Sequence, residues 1–168
     1  GERDADRTRT AVLIEGVARH QRGALGEAVA FDQHPAILAS AAIAGQKEQE
    51  GPLSAYFDYV SSDTRFKQDT WEQGETQMQT LALETAKRKA GLHDQDIDVL
   101  FAGDLLNQCI SSSFAMRDTG VPFLGLYGAC STMAEALCLS GMSVNGSYVV
   151  LAVLPDGCTV PDAFLAKF

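Results

Sequence analysis

Apolar and polar residues follow one another in blocks that predict strands and helices in turn. Short apolar runs that end at turn residues predict buried strands at 36–44, 97–102, 121–126 and 147–154. Amphipathic or small-residue stretches between them predict helices at 70–90, 105–118 and 131–144. The order β-α-β-α-β-α-β is typical of an α/β fold, here a mostly parallel mixed sheet with helices on its faces.

The helix predicted over residues 70–90 has the clearest period in the chain. Asp69 is the expected N-cap, and Gly91 is the expected stop just beyond the last helical residue. Residues three or four positions apart trace one face, which we assign to the core: Trp71, Gly74, Met78, Leu81, Ala82 and Thr85. A short helical turn is expected within residues 53–60.

Both ends of the chain have weaker patterns. Residues 10–14 predict a short strand, and residues 16–30 predict either a weak helix or a loosely ordered arm, because glycines and charges are scattered through them. The last residues contain two prolines and a glycine and are interpreted as a tail. We therefore divide the chain into an N-terminal arm (1–30), an α/β unit (31–154) and a tail (155–168).

Charge and length exclude several classes of protein. The net charge of −9 argues against a nucleic-acid surface and against adsorption to an anionic bilayer by charge alone. No apolar run approaches the roughly 18–20 residues of a membrane span, and the charged N-terminus lacks the apolar core of a signal peptide. We expect a soluble protein on the cytoplasmic side.

The cysteines predict neither a metal site nor a disulfide framework. No two of them form a C-x-x-C pair, and no histidine lies near them in sequence. The four residues are Cys109, Cys130, Cys138 and Cys158. Cys109 and Cys138 fall within helix patterns of apolar or small residues, so we interpret them as buried, reduced thiols.

Cys130 is the centre of the predicted chemistry. It follows the strand at 121–126 through a tight Gly128-Ala129 turn and stands at the start of the helix at 131–144. Unpaired N–H groups and the positive end of the helix dipole favour an anion or a thiolate at such a position. Three interpretations stay open: a nucleophile, the wall of a ligand pocket, or a small residue packed where helix meets sheet.

Other polar residues are expected at the same sheet edge. Ser131 and Thr132 add hydroxyl and N–H groups, while Asp104 and Asn107 follow the preceding strand. Asp104 either caps the helix predicted to begin at Leu105 or contacts a ligand, and Asn107 either donates to a ligand or shapes the loop. The histidines are His20, His34 and His93. None follows a predicted strand at its carboxyl end, so no general base for a nucleophile is identified.

Two long and specific strings resemble one known family. The segments Ala102-Gly-Asp-Leu-Leu-Asn-Gln108 and Gly128-Ala-Cys-Ser-Thr132 are similar to the stage V sporulation protein AD family, within the thiolase-like superfamily. The resemblance covers about residues 31–147, including the loop at 45–57. It implies a thiolase-like fold built from two similar halves, of which residues 31–154 correspond to the first.

The resemblance also implies a function. Members of this family bind dipicolinic acid for its uptake into the developing spore, without an established acyl-transfer activity. They act with membrane-embedded proteins at the inner spore membrane and need no cofactor or metal. Cys130 matches the position of the thiolase nucleophile, in the pocket expected to hold the ligand. By the same resemblance, the strand at 121–126 and the helix at 105–118 form a homodimer contact. The alternatives are a thiolase-like acyltransferase with a cysteine nucleophile and a truncated remnant without a site.

Overall fold

The computed structural model describes residues 19–23, 26–30, 36–143, 150–155 and 161–167. The strands are β1 (Arg19–Gly23), β2 (Gly26–Ala30), β3 (Ala36–Ala44), β4 (Tyr59–Val60), β5 (Val99–Gly103), β6 (Phe123–Leu126), β7 (Val150–Pro155) and β8 (Pro161–Lys167). The α-helices are α1 (Gln46–Gln49), α2 (Trp71–Ala90), α3 (Ile110–Met116) and α4 (Thr132–Ser143). Short 3-10 helices occupy Ser54–Tyr56, Asp94–Asp96 and Ala129–Ser131. No helix in these ranges is long and apolar enough to cross a bilayer.

The sheet confirms the predicted α/β fold. Its six strands lie in the order β4-β3-β8-β7-β5-β6, and β5 pairs in parallel with both β6 and β7. Strand β8 runs antiparallel to β3 and to β7, so the sheet is mixed and mostly parallel. The carboxyl ends of β3, β7, β5 and β6 therefore lie along one edge, where open α/β sheets bind their ligands.

The two faces of the sheet carry different helices. Leu100 and Ala102 of β5 join the hydrophobic core that α2 and α3 cover. Side chains alternate across a strand, so Phe101 and Gly103 face the other way, and the position of a Cβ on Gly103 would lie against Thr132 of α4. Helices α2 and α3 thus pack together on one face, and α4 packs over β5 and β7 on the opposite face.

The end segments differ from their sequence-based interpretation. Residues 19–23 and 26–30 form an antiparallel hairpin, not a helix or a loose arm, while the predicted strand at 10–14 lies outside the described residues. The segment interpreted as a tail supplies β8, inserted between β3 and β7. Its strand signal is the short apolar run Ala163–Ala166, and Pro161 is tolerated because it stands at the first position of the strand.

Helices α2 and α3 begin later than predicted. Thr70, not Asp69, is the N-cap of α2: its hydroxyl accepts the N–H of Gln73, whose side chain accepts the N–H of Thr70. The helix predicted at 105–118 is confined to α3, because residues 105–109 form a loop. Gly91 ends α2 in the left-handed conformation, as predicted.

Candidate functional site

The chain leaves β5 and β6 towards opposite faces of the sheet. The loop after β5 leads to α3 on one face of the sheet, and the turn after β6 leads to α4 on the other. Neighbouring strands whose connections diverge in this way leave a gap between their carboxyl ends, and ligands of open α/β sheets bind in such gaps. We call this gap the β5–β6 crevice. The predicted site residues all belong to the two segments that border it.

The turn after β6 is organised by Gly128. Its N–H donates to Oγ1 of Thr132 at 3.2 Å, and its carbonyl accepts both the N–H and the hydroxyl of Ser131, at 2.9 and 2.7 Å. A Cβ on Gly128 would lie 2.6 Å from the Ser131 hydroxyl oxygen, so a larger residue would displace that hydroxyl from its bond to the Gly128 carbonyl. Ala129, which follows, adopts the left-handed conformation with φ of 47°.

Residues 129–132 fold differently from the predicted helix start. The backbone of Cys130 lies in the 3-10 turn Ala129–Ser131, one turn before α4 begins. The N–H groups of Ser131 and Thr132 donate to the carbonyls of Gly128 and Ala129, so they already have partners. Thr132 is fully buried and its hydroxyl holds the turn. Ser131 is exposed and is the member of this group whose side chain lies at the surface.

Asp104 is enclosed by the loop that follows β5. Its carboxylate is 1% exposed and accepts the Cys109 N–H at 2.9 Å and the N–H and hydroxyl of Ser112 at 3.0 Å each. It caps the helix that follows, as the capping interpretation predicts, but that helix begins at Ile110 and not at Leu105. Asn107 is exposed at the tip of the loop, and its carbonyl accepts the Ile110 N–H.

Cys109 belongs to the site and not to the core. Its thiol donates to the Leu126 carbonyl at 3.0 Å and so ties the loop after β5 to the end of β6. Burial and the nearby charges of Asp104 and Glu135 raise the pKa of this thiol, so it is a poor nucleophile. It is half-buried, and Cys138 is exposed on α4, so the interpretation of both as buried thiols is wrong. The helix pattern failed at Cys109 because the loop replaces the first turns of that helix.

Glu75 is a further residue of this region that sequence reasoning missed. It lies on α2, and its Oε1 accepts the N–H of Leu105 at 3.0 Å across the face of the sheet. Burial raises the pKa of its carboxyl, and the charge of Asp104 adds to the rise. Glu75 and Leu105 are 30 positions apart in sequence, and only packing of α2 against the loop brings them together.

The structure places His93 away from the crevice. His93 precedes β5 and therefore lies at the amino edge of the sheet, opposite the site. His20 lies in the hairpin of β1 and β2, and His34 lies outside the described residues. Within the part of the chain that the structure describes, no three His, Cys, Asp or Glu side chains are grouped as a metal would require.

Comparison with known proteins adds a family and a fold. Residues 26–156 match the profile of the family described as stage V sporulation protein AD. A protein of that name from Bacillus subtilis (strain 168) is 38% identical over 122 residues, which are 72% of this chain and 36% of the relative. The chain thus spans about a third of the length of that relative.

Solved structures resemble the fold at low identity. A 3-oxoacyl-(acyl-carrier-protein) synthase III from Aquifex aeolicus aligns with a TM-score of 0.53 at 15% identity, over 80% of this chain and 54% of the enzyme. The corresponding synthase from Xanthomonas oryzae aligns with a TM-score of 0.50 at 16% identity, over 80% of this chain and 56% of the enzyme. These likenesses show a shared architecture and carry no information on activity.

Proposed function

Because the chain belongs to the stage V sporulation protein AD family, we propose that it binds dipicolinic acid, pyridine-2,6-dicarboxylate, without catalysing a reaction on it. The binding serves uptake of this compound into the developing spore. The protein acts at the cytoplasmic side of the inner spore membrane, with membrane-embedded proteins of the same machinery. No cofactor or metal takes part. The fold in which this occurs is thiolase-like.

The β5–β6 crevice is the observation that carries this proposal. Exposed polar side chains stand on both of its borders, Ser131 on the turn after β6 and Asn107 on the loop after β5. An amide such as that of Asn107 is a neutral donor of the kind that a flat dicarboxylate needs, and the hydroxyl of Ser131 becomes one when it turns away from the Gly128 carbonyl, its partner in the free protein. The positive end of the α4 dipole points to the same side. Thr132 and Asp104 contribute by shaping the two borders, because their polar atoms are turned inward.

Nearby carboxylates set the limit on affinity. The carboxylate of Asp104 accepts three hydrogen bonds, which compensate its negative charge. Glu135, in contrast, is exposed in the first turn of α4. Its Oε2 lies 3.0 Å from where a Cβ of Gly128 would stand, so its charge borders the turn. A dianionic ligand in the crevice is therefore repelled by Glu135 and attracted by the neutral donors.

Calorimetric titration with dipicolinate tests the placement of the site. We expect Ser131→Ala to weaken binding by about twofold to tenfold, since one hydrogen bond contributes about 0.5–1.5 kcal/mol. Glu135→Gln is expected to tighten binding, because it removes a like charge. Ser143→Ala, at the far end of the same helix, is the matched control and leaves the affinity unchanged.

Several outcomes contradict the proposal. Absence of binding heat with the unmodified chain rules out binding by these residues, and equal weakening in Ser131→Ala and Ser143→Ala rules out this location. Benzene-1,3-dicarboxylate keeps both carboxylates and lacks the ring nitrogen, so equal affinity for it rules out specificity for the pyridine. Acylation of Cys130 by an acyl-thioester analogue, lost in Cys130→Ala, would favour the acyltransferase alternative.

We further propose that two copies pair through β6. This strand is at the edge of the described sheet. Its Leu124 is 53% exposed, and Tyr127, just beyond the strand, is 67% exposed. Phe114 on the neighbouring α3 is also exposed. A second copy would cover these apolar side chains and satisfy the free edge of β6. Leu124→Lys is therefore expected to shift the sedimentation coefficient from dimer to monomer, while Tyr56→Lys, on an exposed side chain elsewhere, does not.

A further inference from the structure

Two buried oxygen atoms on α2 lack partners. Glu75 uses Oε1 to accept the Leu105 N–H, but its Oε2 is buried with no hydrogen bond, as is the nearby hydroxyl of Ser111 on α3. Gln79 is fully buried and donates from Nε2 to the Gly103 carbonyl, while its Oε1 has no hydrogen bond either. The two residues are one helical turn apart and so lie on the same side of α2. Unpaired buried acceptors are costly, about 1–3 kcal/mol each, and require an explanation.

The loop that Glu75 holds is under backbone strain. Gln108 and Cys109 adopt consecutive left-handed conformations with φ of 49° and 69°, which non-glycine residues rarely take. Such a loop keeps its shape only if contacts compensate. The contacts are the Leu105 N–H to Glu75, the Cys109 N–H to Asp104 and the Cys109 thiol to Leu126. Of these three, the first ties the loop to α2.

We propose that Glu75 is a positioning residue that clamps the loop at 105–109 against α2, and that the clamp tightens when its Oε2 takes up a proton and donates it to Oε1 of Gln79. One proton then converts two unpaired acceptors into one hydrogen bond, while Oε1 of Glu75 still accepts from Leu105. The loop forms one border of the β5–β6 crevice. The consequence for ligand binding rests on the proposed function, whereas the clamp itself does not.

The charges around Glu75 favour the protonated form. Burial raises the pKa of Glu75, and Asp104 at the end of β5 raises it further, against the opposing effect of the Leu105 N–H and the Ser111 hydroxyl on α3. Glu72 stands one turn away on α2. The clamped loop therefore binds the proton more tightly than the released loop does. Its stability is greatest below the ordinary pKa of a glutamate and falls as the pH rises through the raised pKa.

Hydrogen–deuterium exchange of the loop amides, corrected for intrinsic rates at each pH, tests the clamp without any ligand. In the unmodified chain, protection of Leu105 and the residues after it is expected to fall several-fold from pH 4.5 to pH 7. Glu75→Gln keeps an acceptor for Leu105 and gains a donor for Gln79, so its loop stays protected with no dependence on pH. Glu75→Ala loses protection at all pH values.

Glu72→Gln is the matched control, because it removes the same charge from the same helix and keeps Asp104 in place. It is expected to retain the pH dependence of the unmodified chain. Flat protection in the unmodified chain, or a pH dependence that persists in Glu75→Gln, overturns the proposal. Dipicolinate titration of Glu75→Ala is a separate arm: an unchanged affinity beside a released loop removes the link to the ligand and leaves the clamp intact.

Discussion

Replacing Gly103 with alanine is expected to lower the free energy of unfolding by about 3 kcal/mol, the upper part of the range for overpacked sites. A Cβ at this position would lie 2.4 Å from the Leu126 carbonyl oxygen and 2.7 Å from Cγ2 of Thr132. The first is backbone of the neighbouring strand, and the second is a buried, β-branched side chain. Neither can move without separating β5 from β6 or lifting the start of α4. Urea denaturation followed by circular dichroism measures the loss.

Gly45→Ala is the control for this substitution. Gly45 lies just after the end of β3, and Gly103 is the last residue of β5. No atom lies within 4 Å of a Cβ added to Gly45, and the φ of −86° at Gly45 suits any residue. It is expected to leave stability unchanged or to raise it by about 0.4–1 kcal/mol through the unfolded state. Similar losses at both positions would mean that the close approach of β5 to β6 is not what requires glycine at 103.

Elements with a strong local pattern were predicted correctly from the sequence. The apolar run at Ala36–Ala44 forms β3 with the bounds expected, and the period over Trp71–Ala90 forms α2 within one residue at its start. Both depend on the spacing of apolar residues within a single segment. Strand β8 was missed for the opposite reason, since its apolar run is short, follows two prolines, and pairs with β3, which lies more than 100 residues earlier.

The sequence predicts which two segments border the candidate site but not the contacts of their side chains. The position of the crevice follows from the order of strands and helices, which the sequence reveals. The roles of individual side chains depend on contacts between separate segments. Asp104 turns inward because the loop folds back over it, and Glu75 enters the site because α2 packs beside that loop. The spacing of residues along the chain reveals neither contact, and the sequence pattern therefore predicts a helix where the loop at 105–109 forms.

Asp104→Ala is expected to lower the free energy of unfolding by about 3–5 kcal/mol and to release the loop at 105–109. The substitution leaves the N–H groups of Cys109 and Ser112 and the Ser112 hydroxyl without their acceptor, all at a position that is 1% exposed. Asp104→Asn is expected to lower the free energy of unfolding less than Asp104→Ala does, because its amide oxygen still accepts hydrogen bonds. It remains destabilising, because its amide nitrogen replaces an acceptor and faces a donor.

Asp118→Ala separates this loss from a general effect of removing an aspartate near α3. Asp118 lies just beyond the end of that helix and pairs with Arg117, but both side chains are exposed. Surface pairs of this kind contribute little, so the control is expected to leave the midpoint of urea unfolding nearly unchanged. If Asp104→Ala unfolds at the same urea concentration as Asp118→Ala, the buried carboxylate does not organise the loop. The border of the β5–β6 crevice must then be held by the Cys109 thiol and by Glu75, so that Cys109→Ala and Glu75→Ala become the damaging substitutions.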